Sequence, residues 1–201
     1  MIGTKVGLAA LLLFSMTLLT GCSGMKPEDF AGREPRFRIE DYFVGKTKAW
    51  GIFQDRFGTL RRQFVVDIDG TWDGETLTLV EDFVYDDGET ERRTWTIHKT
   101  GEHSYEGRAD GVIGQAEGES YGNVLNWRYR FALKVGDSTW NVSFDDWMFL
   151  QDDGVMINRA EVSKFGFQLG EVTIAFSKDL AQAASAAAIE AQSRHPSVVS
   201  P

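Results

Sequence analysis

Few side chains in this sequence have the types and spacing that catalysis or metal binding requires. His98, His103 and His195 do not show the spacing of paired metal ligands. Aspartates cluster at turns such as Asp152-Asp153-Gly154, but the ligand pattern of a calcium-binding loop is missing. The sequence therefore predicts no metal site and no cofactor, and it identifies no catalytic residue.

The segment Asp67-Ile68-Asp69-Gly70-Thr71 resembles the first motif of haloacid-dehalogenase-type phosphatases. The resemblance implies that Asp67 is a nucleophile and Asp69 a general acid/base, with magnesium beside them. In those enzymes the motif ends a buried parallel strand of an α/β sheet. Here another predicted strand follows at 76–85, and the helices of such a sheet are missing. A phosphatase therefore ranks behind the alternatives below.

Two acidic residues are predicted to need a basic partner. Asp146 shares its strand face with apolar side chains, and a carboxylate on an apolar face needs charge compensation. We expect Arg159 to supply it. Asp82 and Arg93 would lie opposite each other on adjacent strands if Asp87-Gly88 is a two-residue turn. Both are interpreted as buried ion pairs with a structural role.

Cys22, the only cysteine, lies where an apolar run ends. Lys5 precedes the run, which covers residues 6–19 and is shorter than the roughly 20 apolar residues of a transmembrane helix. The run finishes in Leu19-Thr20-Gly21-Cys22, which resembles the lipobox of bacterial lipoproteins. That resemblance implies cleavage before the cysteine and lipidation of its thiol.

Residues 1–21 are thus predicted to be a lipoprotein signal peptide, and residues 22–35 a lipidated N-terminus and tether. Several acyl chains on Cys22 would give stable membrane attachment. Ser23 follows the cysteine. By resemblance to enterobacterial sorting rules, this implies a lipid-anchored location at the outer membrane, which we expect to face the periplasm.

The net charge of −9 disfavours nucleic acid and anionic lipid surfaces as partners, because both would repel the protein. Membrane attachment must then come from acyl chains. The 21 glycines, only 4 prolines and 12% aromatic residues are typical of an all-β chain with many turns. The oligomeric state stays open.

Alternation of apolar and polar residues is clearest over residues 125–135. Their odd-numbered side chains are apolar, whereas Arg128 and Arg130 fall on the other face of a strand. Dipeptides such as Asp69-Gly70 and Asp73-Gly74 predict turns between strands. The other predicted strands are 37–44, 47–54, 60–68, 76–85, 91–98, 103–109, 112–119, 139–150, 155–163 and 171–177.

Short connections between these strands favour antiparallel hairpins, and closure would remove exposed sheet edges. We predict an all-β, lipocalin-like domain over residues 36–178. It is a single antiparallel up-and-down β-barrel or strongly curved half-barrel of about 8–10 strands. Residues 179–201 are predicted to be an alanine-rich helix or a disordered tail.

A small barrel can enclose one apolar or lipid-like molecule. The alternative is a structural or interaction module of the cell envelope, in which the same aromatic side chains fill a solid core. The two hypotheses are ranked equally, and any enzyme ranks behind them. The candidate cavity residues are Trp50, Phe64, Trp95, Trp127, Tyr129, Phe131, Trp140 and Phe144.

Residues 22–178 resemble an uncharacterised family of proteobacterial lipoproteins known only as a domain of unknown function. This resemblance implies an exported, membrane-attached protein and supplies no catalytic residues. The features that carry it are the lipobox at Leu19–Cys22, the segment Phe43–Gly51, the pairs Phe57-Gly58 and Asp82-Phe83, and Trp127-Arg128-Tyr129.

Overall fold

The computed structural model of the protein describes residues 24–181. A short helix, α1 (Ile39–Phe43), precedes ten strands, and 3-10 turns occupy Pro27–Phe30 and Asp152–Gly154. The strands are β1 (Gly45–Asp55), β2 (Leu60–Trp72), β3 (Thr76–Tyr85), β4 (Thr90–Lys99), β5 (Ser104–Ala109), β6 (Ala116–Tyr121), β7 (Val124–Val135), β8 (Ser138–Leu150), β9 (Val155–Lys164) and β10 (Phe167–Ser177).

The strands form a closed antiparallel barrel. Each strand pairs with its neighbour in sequence, and β1 also pairs with β10. The predicted all-β, up-and-down barrel is confirmed, in its closed form and not as a half-barrel. Because each of the ten strands has two partners, the sheet does not offer an edge for pairing with another chain.

The barrel has two different ends. The turns between β2 and β3, β4 and β5, β6 and β7, and β8 and β9 lie at one end, which we call the closed end. The other five hairpin turns lie at the opposite end, which we call the mouth. The mouth turns occupy residues 56–59, 86–89, 110–115, 136–137 and 165–166.

Residues 37–43, which we call the plug, cover the closed end of the barrel. The strand predicted for 37–44 is therefore wrong. The buried side chains of Phe37, Ile39 and Phe43 point into the core, and α1 forms a single turn there. Gly70 allows this turn to approach β2, because a Cβ atom at Gly70 would lie 1.9 Å from the carbonyl oxygen of Phe43. The turn predicted at Asp69-Gly70 is therefore also wrong, and β2 continues to Trp72.

Hydrogen bonds fix the plug to the closed-end turns. The backbone N–H of Phe37 donates to Gly122 over 2.7 Å, and the hydroxyl of Tyr42 donates to the Gly154 carbonyl over 3.0 Å. The buried Glu40 carboxylate accepts from Lys99 at 2.6 Å and from Tyr105 at 2.9 Å. Burial alone would raise the pKa of Glu40, but these bonds hold it below its usual value.

The chain enters the barrel at the closed end. The 3-10 turn Pro27–Phe30 packs on the outside of β6 and β7, and the ring centre of Phe30 lies 6.1 Å from that of Phe149. Part of the segment predicted as a tether is therefore docked on the barrel. Cys22 and the predicted signal peptide lie outside the described residues.

The described part of the predicted tail, residues 178–181, is helical, and the rest of the alanine-rich segment lies outside the described residues. Lys178 ties this turn to the plug by donating to the carbonyl of Tyr42 over 2.6 Å. Among residues 24–181, none of the helices is both long and apolar enough to cross a membrane.

Candidate functional site

The barrel encloses a cavity of about 260 Å³. It extends from Ile39 and Phe43 in the plug to Phe53, Arg62 and Leu133 near the mouth. Its wall consists of inward-pointing side chains, because alternate residues of a strand point to opposite faces of a sheet. The aromatic part of the wall is formed by Phe43, Phe53, Phe64, Phe83, Tyr85, Trp95, Trp127, Tyr129, Phe131, Phe144 and Phe176.

The large rings of β7 are accommodated by small residues on the neighbouring strands. A Cβ atom at Gly118 would lie 2.3 Å from the Trp127 ring, and one at Gly107 would lie 2.6 Å from it. The Trp127 ring also packs edge-on against Trp95, with 5.7 Å between centres. The glycines of β5 and β6 thus let Trp127 lie flat along the wall, and they leave space in the middle of the barrel.

Four polar side chains interrupt this aromatic wall in the middle of the barrel, and a fifth, Arg62, lies nearer the mouth. Glu81 on β3 and Arg93 on β4 lie opposite each other in the strand register, and Asp146 on β8 and Asn158 on β9 complete the group. β3 and β8 lie on opposite sides of the ten-strand ring. The group, which we call the polar cluster, therefore spans the interior and contains two carboxylates in apolar surroundings.

Both carboxylates of the polar cluster have raised pKa values. Burial raises the pKa of Asp146 to about 7, although a hydrogen bond from Asn158 opposes the rise. Burial also raises the pKa of Glu81 to about 7, although the charge of Arg93 opposes it. Within residues 24–181, neither carboxylate forms an ion pair. Near neutral pH both groups are therefore easily protonated or deprotonated.

The hydrogen-bonding capacity of the cluster is incompletely used. The Asn158 side-chain amide donates to Oδ2 of Asp146 over 3.4 Å. Oδ1 of Asp146 and Oδ1 of Asn158 are both buried and accept no hydrogen bond from residues 24–181. We call these two atoms the open acceptors. A buried polar atom left without a partner costs about 1–3 kcal/mol, so such atoms point to a missing partner.

Arg93 is committed to a different neighbour. Its guanidinium donates to Glu91 at 2.7 Å and stacks over Phe131, with 4.8 Å from its carbon to the ring centre. Its Nε is buried and makes no hydrogen bond within the described chain. Because Arg93 is engaged by Glu91, it compensates the charges of Glu81 and Asp146 only at a distance.

A second arginine lies nearer the mouth. The Arg62 guanidinium lies 3.5 Å from the centre of the Tyr85 ring and pairs with Asp87, at 3.2 Å, and with Glu89. The Tyr85 hydroxyl donates to Glu91 over 3.0 Å. Arg62, Tyr85 and Glu91 therefore link the mouth to the polar cluster through polar groups.

The structure divides the predicted cavity residues into two sets. Trp50 lies on the outer face of β1 and is 36% exposed, so its assignment to the cavity is wrong. Trp140 lies at the mouth rim, where Lys164 approaches its ring to 4.3 Å, and it does not line the cavity. The residues found on the cavity wall are Phe64, Trp95, Trp127, Tyr129, Phe131 and Phe144.

The predicted pair of Asp82 and Arg93 does not form. The turn between β3 and β4 covers residues 86–89 and is longer than two residues, so Asp82 lies opposite Arg92 and Glu81 lies opposite Arg93. Asp82 and Arg92 form an exposed ion pair at 2.5 Å. The error is a shift of one residue: Arg93 does point into the barrel, whereas its predicted partner Asp82 points outward.

The predicted pair of Asp146 and Arg159 is wrong for the same reason. Asp146 lies opposite Ala160, so Arg159 points outward, where it pairs with Glu171 at 2.6 Å. Asp146 does lie among apolar side chains inside the barrel, as predicted, but the polar residue beside it is Asn158. Sequence alternation could also have indicated Glu81, which interrupts the apolar series of Leu79 and Phe83.

The segment with the phosphatase-like motif lies within β2 and on the outside of the barrel. Asp67 pairs with Lys48 at 2.8 Å, and Asp69 pairs with Lys46. Both carboxylates are neutralised by lysines of β1, and β2 is antiparallel to both of its neighbours. The buried parallel strand end that such a phosphatase needs is not formed here. Within residues 24–181, no cluster of His, Cys, Asp or Glu is arranged to hold a metal ion.

Fold and site together define a closed ten-stranded antiparallel barrel with an aromatic cavity and a polar cluster inside it. A family model described as a protein of unknown function, DUF3833, matches residues 16–178, and the chain belongs to this family. The predicted membership of a family of unknown function is thereby confirmed. No solved structure matches the chain.

Proposed function

We propose that the protein binds one small apolar or lipid-like molecule inside its barrel. The observation that carries this proposal is the cavity of about 260 Å³ with an aromatic wall and buried open acceptors. Its volume lies near the lower limit of the about 300–1,000 Å³ that is typical of small-molecule pockets. Apolar walls with a few convergent polar groups are the usual composition of such pockets.

A solid core would be built differently. Protein interiors are packed as densely as organic crystals, and each buried polar atom without a partner lowers stability. A barrel selected only for stability would fill this space with larger side chains in place of Asp146 and Asn158. Instead, Gly107 and Gly118 lie beside Trp127, and Ala160 lines the cavity. These small and polar residues favour a ligand-binding cavity over a solid core.

We further propose that Cys22 carries a lipid and anchors the barrel to the outer membrane on its periplasmic side. The support is the lipobox-like sequence at Leu19–Cys22, which follows the apolar run of residues 6–19. Replacing Cys22 with alanine should move the protein from membrane to soluble fractions. Membrane attachment that survives Cys22→Ala would contradict lipidation at this residue.

The second candidate function is an interaction module of the envelope that holds no ligand. The exposed aromatic side chains at the mouth favour it, since Phe57, Phe165 and Phe167 are the kind of residues that a partner would cover. This alternative predicts a barrel that remains empty whatever is offered to it.

The test uses a fragment that begins at Gly24 and contains all ten strands and the plug. It is purified, extracted with organic solvent and analysed by mass spectrometry, and its thermal stability is measured with a panel of fatty acids, alcohols and amines. We expect one chemical class to co-purify or to raise the melting temperature. An empty protein with an unchanged melting temperature across the panel would overturn the proposal.

A pair of variants separates cavity binding from surface binding. Ala160 lines the cavity, whereas Ala175 lies on the outer face of β10. Ala160→Phe should fill the cavity and abolish binding. Ala175→Phe adds the same ring on the outside and should leave binding intact. Equal loss in both variants would place the ligand elsewhere.

A further inference from the structure

Within residues 24–181, the polar cluster contains two buried acceptors without a partner, the open acceptors, and one such donor, the Nε of Arg93. The open acceptors, Oδ1 of Asp146 and Oδ1 of Asn158, are buried, with residue exposures of 6% and 2%. Glu81, on the opposite wall of the same cavity, is a further acceptor group, to which the Trp95 side chain donates a hydrogen bond. A ligand that satisfies Oδ1 of Asn158, or Oδ1 of an ionised Asp146, must donate hydrogen bonds, because amide and carboxylate oxygens can only accept them.

The charges of the cavity support the same conclusion. The two arginines on its wall form ion pairs with other acidic residues, Arg62 with Asp87 and Glu89, and Arg93 with Glu91. Only the Nε of each arginine is buried without a partner among residues 24–181. Glu81 and Asp146 form no ion pair with any residue from 24 to 181. An anionic ligand would add a third negative charge beside them, which is unfavourable in an apolar interior.

We propose that the ligand is an apolar molecule bearing a hydrogen-bond-donating group, a hydroxyl or an ammonium, that donates to the open acceptors of Asp146 and Asn158. This inference rests on the proposed binding function and names the ligand class for it. The apolar body lies along the aromatic wall towards Phe131 and Phe144. When Asp146 is protonated, a neutral hydroxyl can donate to Oδ1 of Asn158 and accept from the Asp146 carboxyl. An ammonium donates to both open acceptors and compensates the ionised forms of Asp146 and Glu81.

A matched series of ligands with the same ten-carbon chain tests the donor requirement. The fragment from Gly24 onward is titrated with decan-1-ol, decylamine, decyl methyl ether and decanoate, and binding is followed by calorimetry and by the fluorescence of Trp95 and Trp127. The ether keeps the oxygen but donates nothing, and decanoate is an anion. We expect the alcohol or the amine to bind at least about tenfold tighter than both.

Comparing decylamine with decan-1-ol shows whether the donating group is an ammonium or a hydroxyl. Binding of the amine above the alcohol at pH 8 identifies charge compensation as the main contribution. Equal or stronger binding of the alcohol identifies a neutral hydrogen bond. An ether that binds as tightly as the alcohol overturns the inference while leaving the binding function in place, and so does decanoate as the tightest ligand. Failure of all four compounds to bind overturns the binding function together with this inference.

Two leucine variants locate the effect at the open acceptors. Asp146→Leu and Asn158→Leu keep a side chain of similar volume, and replacing a buried charge by a packed apolar group is often neutral or stabilising. In each variant, the affinity for decan-1-ol should fall towards that for decyl methyl ether, so that the ratio of the two affinities approaches one. The affinity for the ether itself should stay unchanged. Asp67→Asn on the outer face of β2 is the control and should leave the ratio unchanged. A ratio that persists in both leucine variants would overturn the assignment.

Discussion

The two ends of the barrel are built on opposite principles. At the closed end, Phe37 and Phe43 are 1% and 3% exposed, and the plug is hydrogen-bonded to the surrounding turns. At the mouth, Phe57, Phe165 and Phe167 are 78%, 89% and 73% exposed. One end contributes buried area and stability, whereas the other leaves apolar side chains in contact with solvent. The exposed mouth agrees with the function that we propose, in which the ligand would enter and leave the barrel at this end.

The largest effect should come from breaking the closed end. Phe43→Ala removes a buried ring that packs against Tyr42 and Phe176, with ring centres 5.0 and 5.9 Å away. Such truncations cost about 3–5 kcal/mol of unfolding free energy. Urea denaturation measures the loss. Val44→Ala, at the exposed next position, is the control and should cost far less. Equal costs would mean that the plug does not support the barrel.

The next effect concerns the packing of the wall between the two ends. In Gly118→Ala, the new Cβ atom would lie 2.3 Å from the Trp127 ring, which must move. Overpacking of this kind costs about 1–3 kcal/mol. Urea denaturation should show the loss, and the tryptophan emission maximum should shift. Gly101→Ala meets nothing closer than 3.5 Å and serves as the control. Unchanged stability and emission in Gly118→Ala would show that Trp127 is free to move.

The polar cluster should make stability depend on pH. The pKa of Asp146 is raised from 3.8 to about 7 in the folded barrel, so the unfolded chain releases this proton at a lower pH than the folded one. The free energy of unfolding should therefore fall as pH rises from about 4 to about 7 and level off above. We expect Asp146→Asn to reduce the difference between pH 5 and pH 8 by about 1–2 kcal/mol.

Denaturation of both proteins at the two pH values measures this contribution. Asp67→Asn, which removes an exposed carboxylate on β2, is the matched control and should keep the wild-type pH dependence. If Asp146→Asn retains the full pH dependence, then the Asp146 carboxyl is ionised in the folded barrel at pH 5. In that case, other residues of the chain would compensate the charge of Asp146, and the cavity would not need a ligand with a hydrogen-bond-donating group.

The smallest effect should come from the mouth rim. Phe165→Ser and Phe167→Ser remove side chains that are mostly exposed, so each should change the unfolding free energy by less than about 0.5 kcal/mol. Thermal and urea denaturation check this. A loss above about 1 kcal/mol in either variant would show that the rim packs like the plug, and the contrast between the ends would disappear.

The alternation of residues was enough to predict the barrel, because a period of two in consecutive segments with short turns leaves few other folds. It was not enough for residues 37–44. Phe37, Ile39 and Phe43 alternate as they would in a strand, but they form a plug with one helical turn. A single turn has too few hydrogen bonds to stand alone, so tertiary burial decides its conformation.

The polar interior could be predicted only in part, because it depends on strand register. Asp146 was recognised by its apolar neighbours, whereas Arg159 and Asp82 were assigned to the inside through errors of one residue. A shift of one residue reverses the direction of every side chain in a strand. Turn length sets the register, and Asp87-Gly88 is part of a turn that covers residues 86–89. Spacing alone does not determine that length.

The entry of the chain beside the β6–β7 turn has a consequence for orientation. If Cys22 bears the lipid that we propose, only one residue separates it from Gly24, and the turn at Pro27–Phe30 is already docked beside Gly122. The closed end of the barrel would then face the membrane, and the mouth would point away from it. With ~3.3 Å per residue and a strand tilt of ~40°, the mouth would lie ~30 Å above the lipid. Molecules would be loaded from the aqueous side or from a facing partner, and not drawn directly from the bilayer underneath.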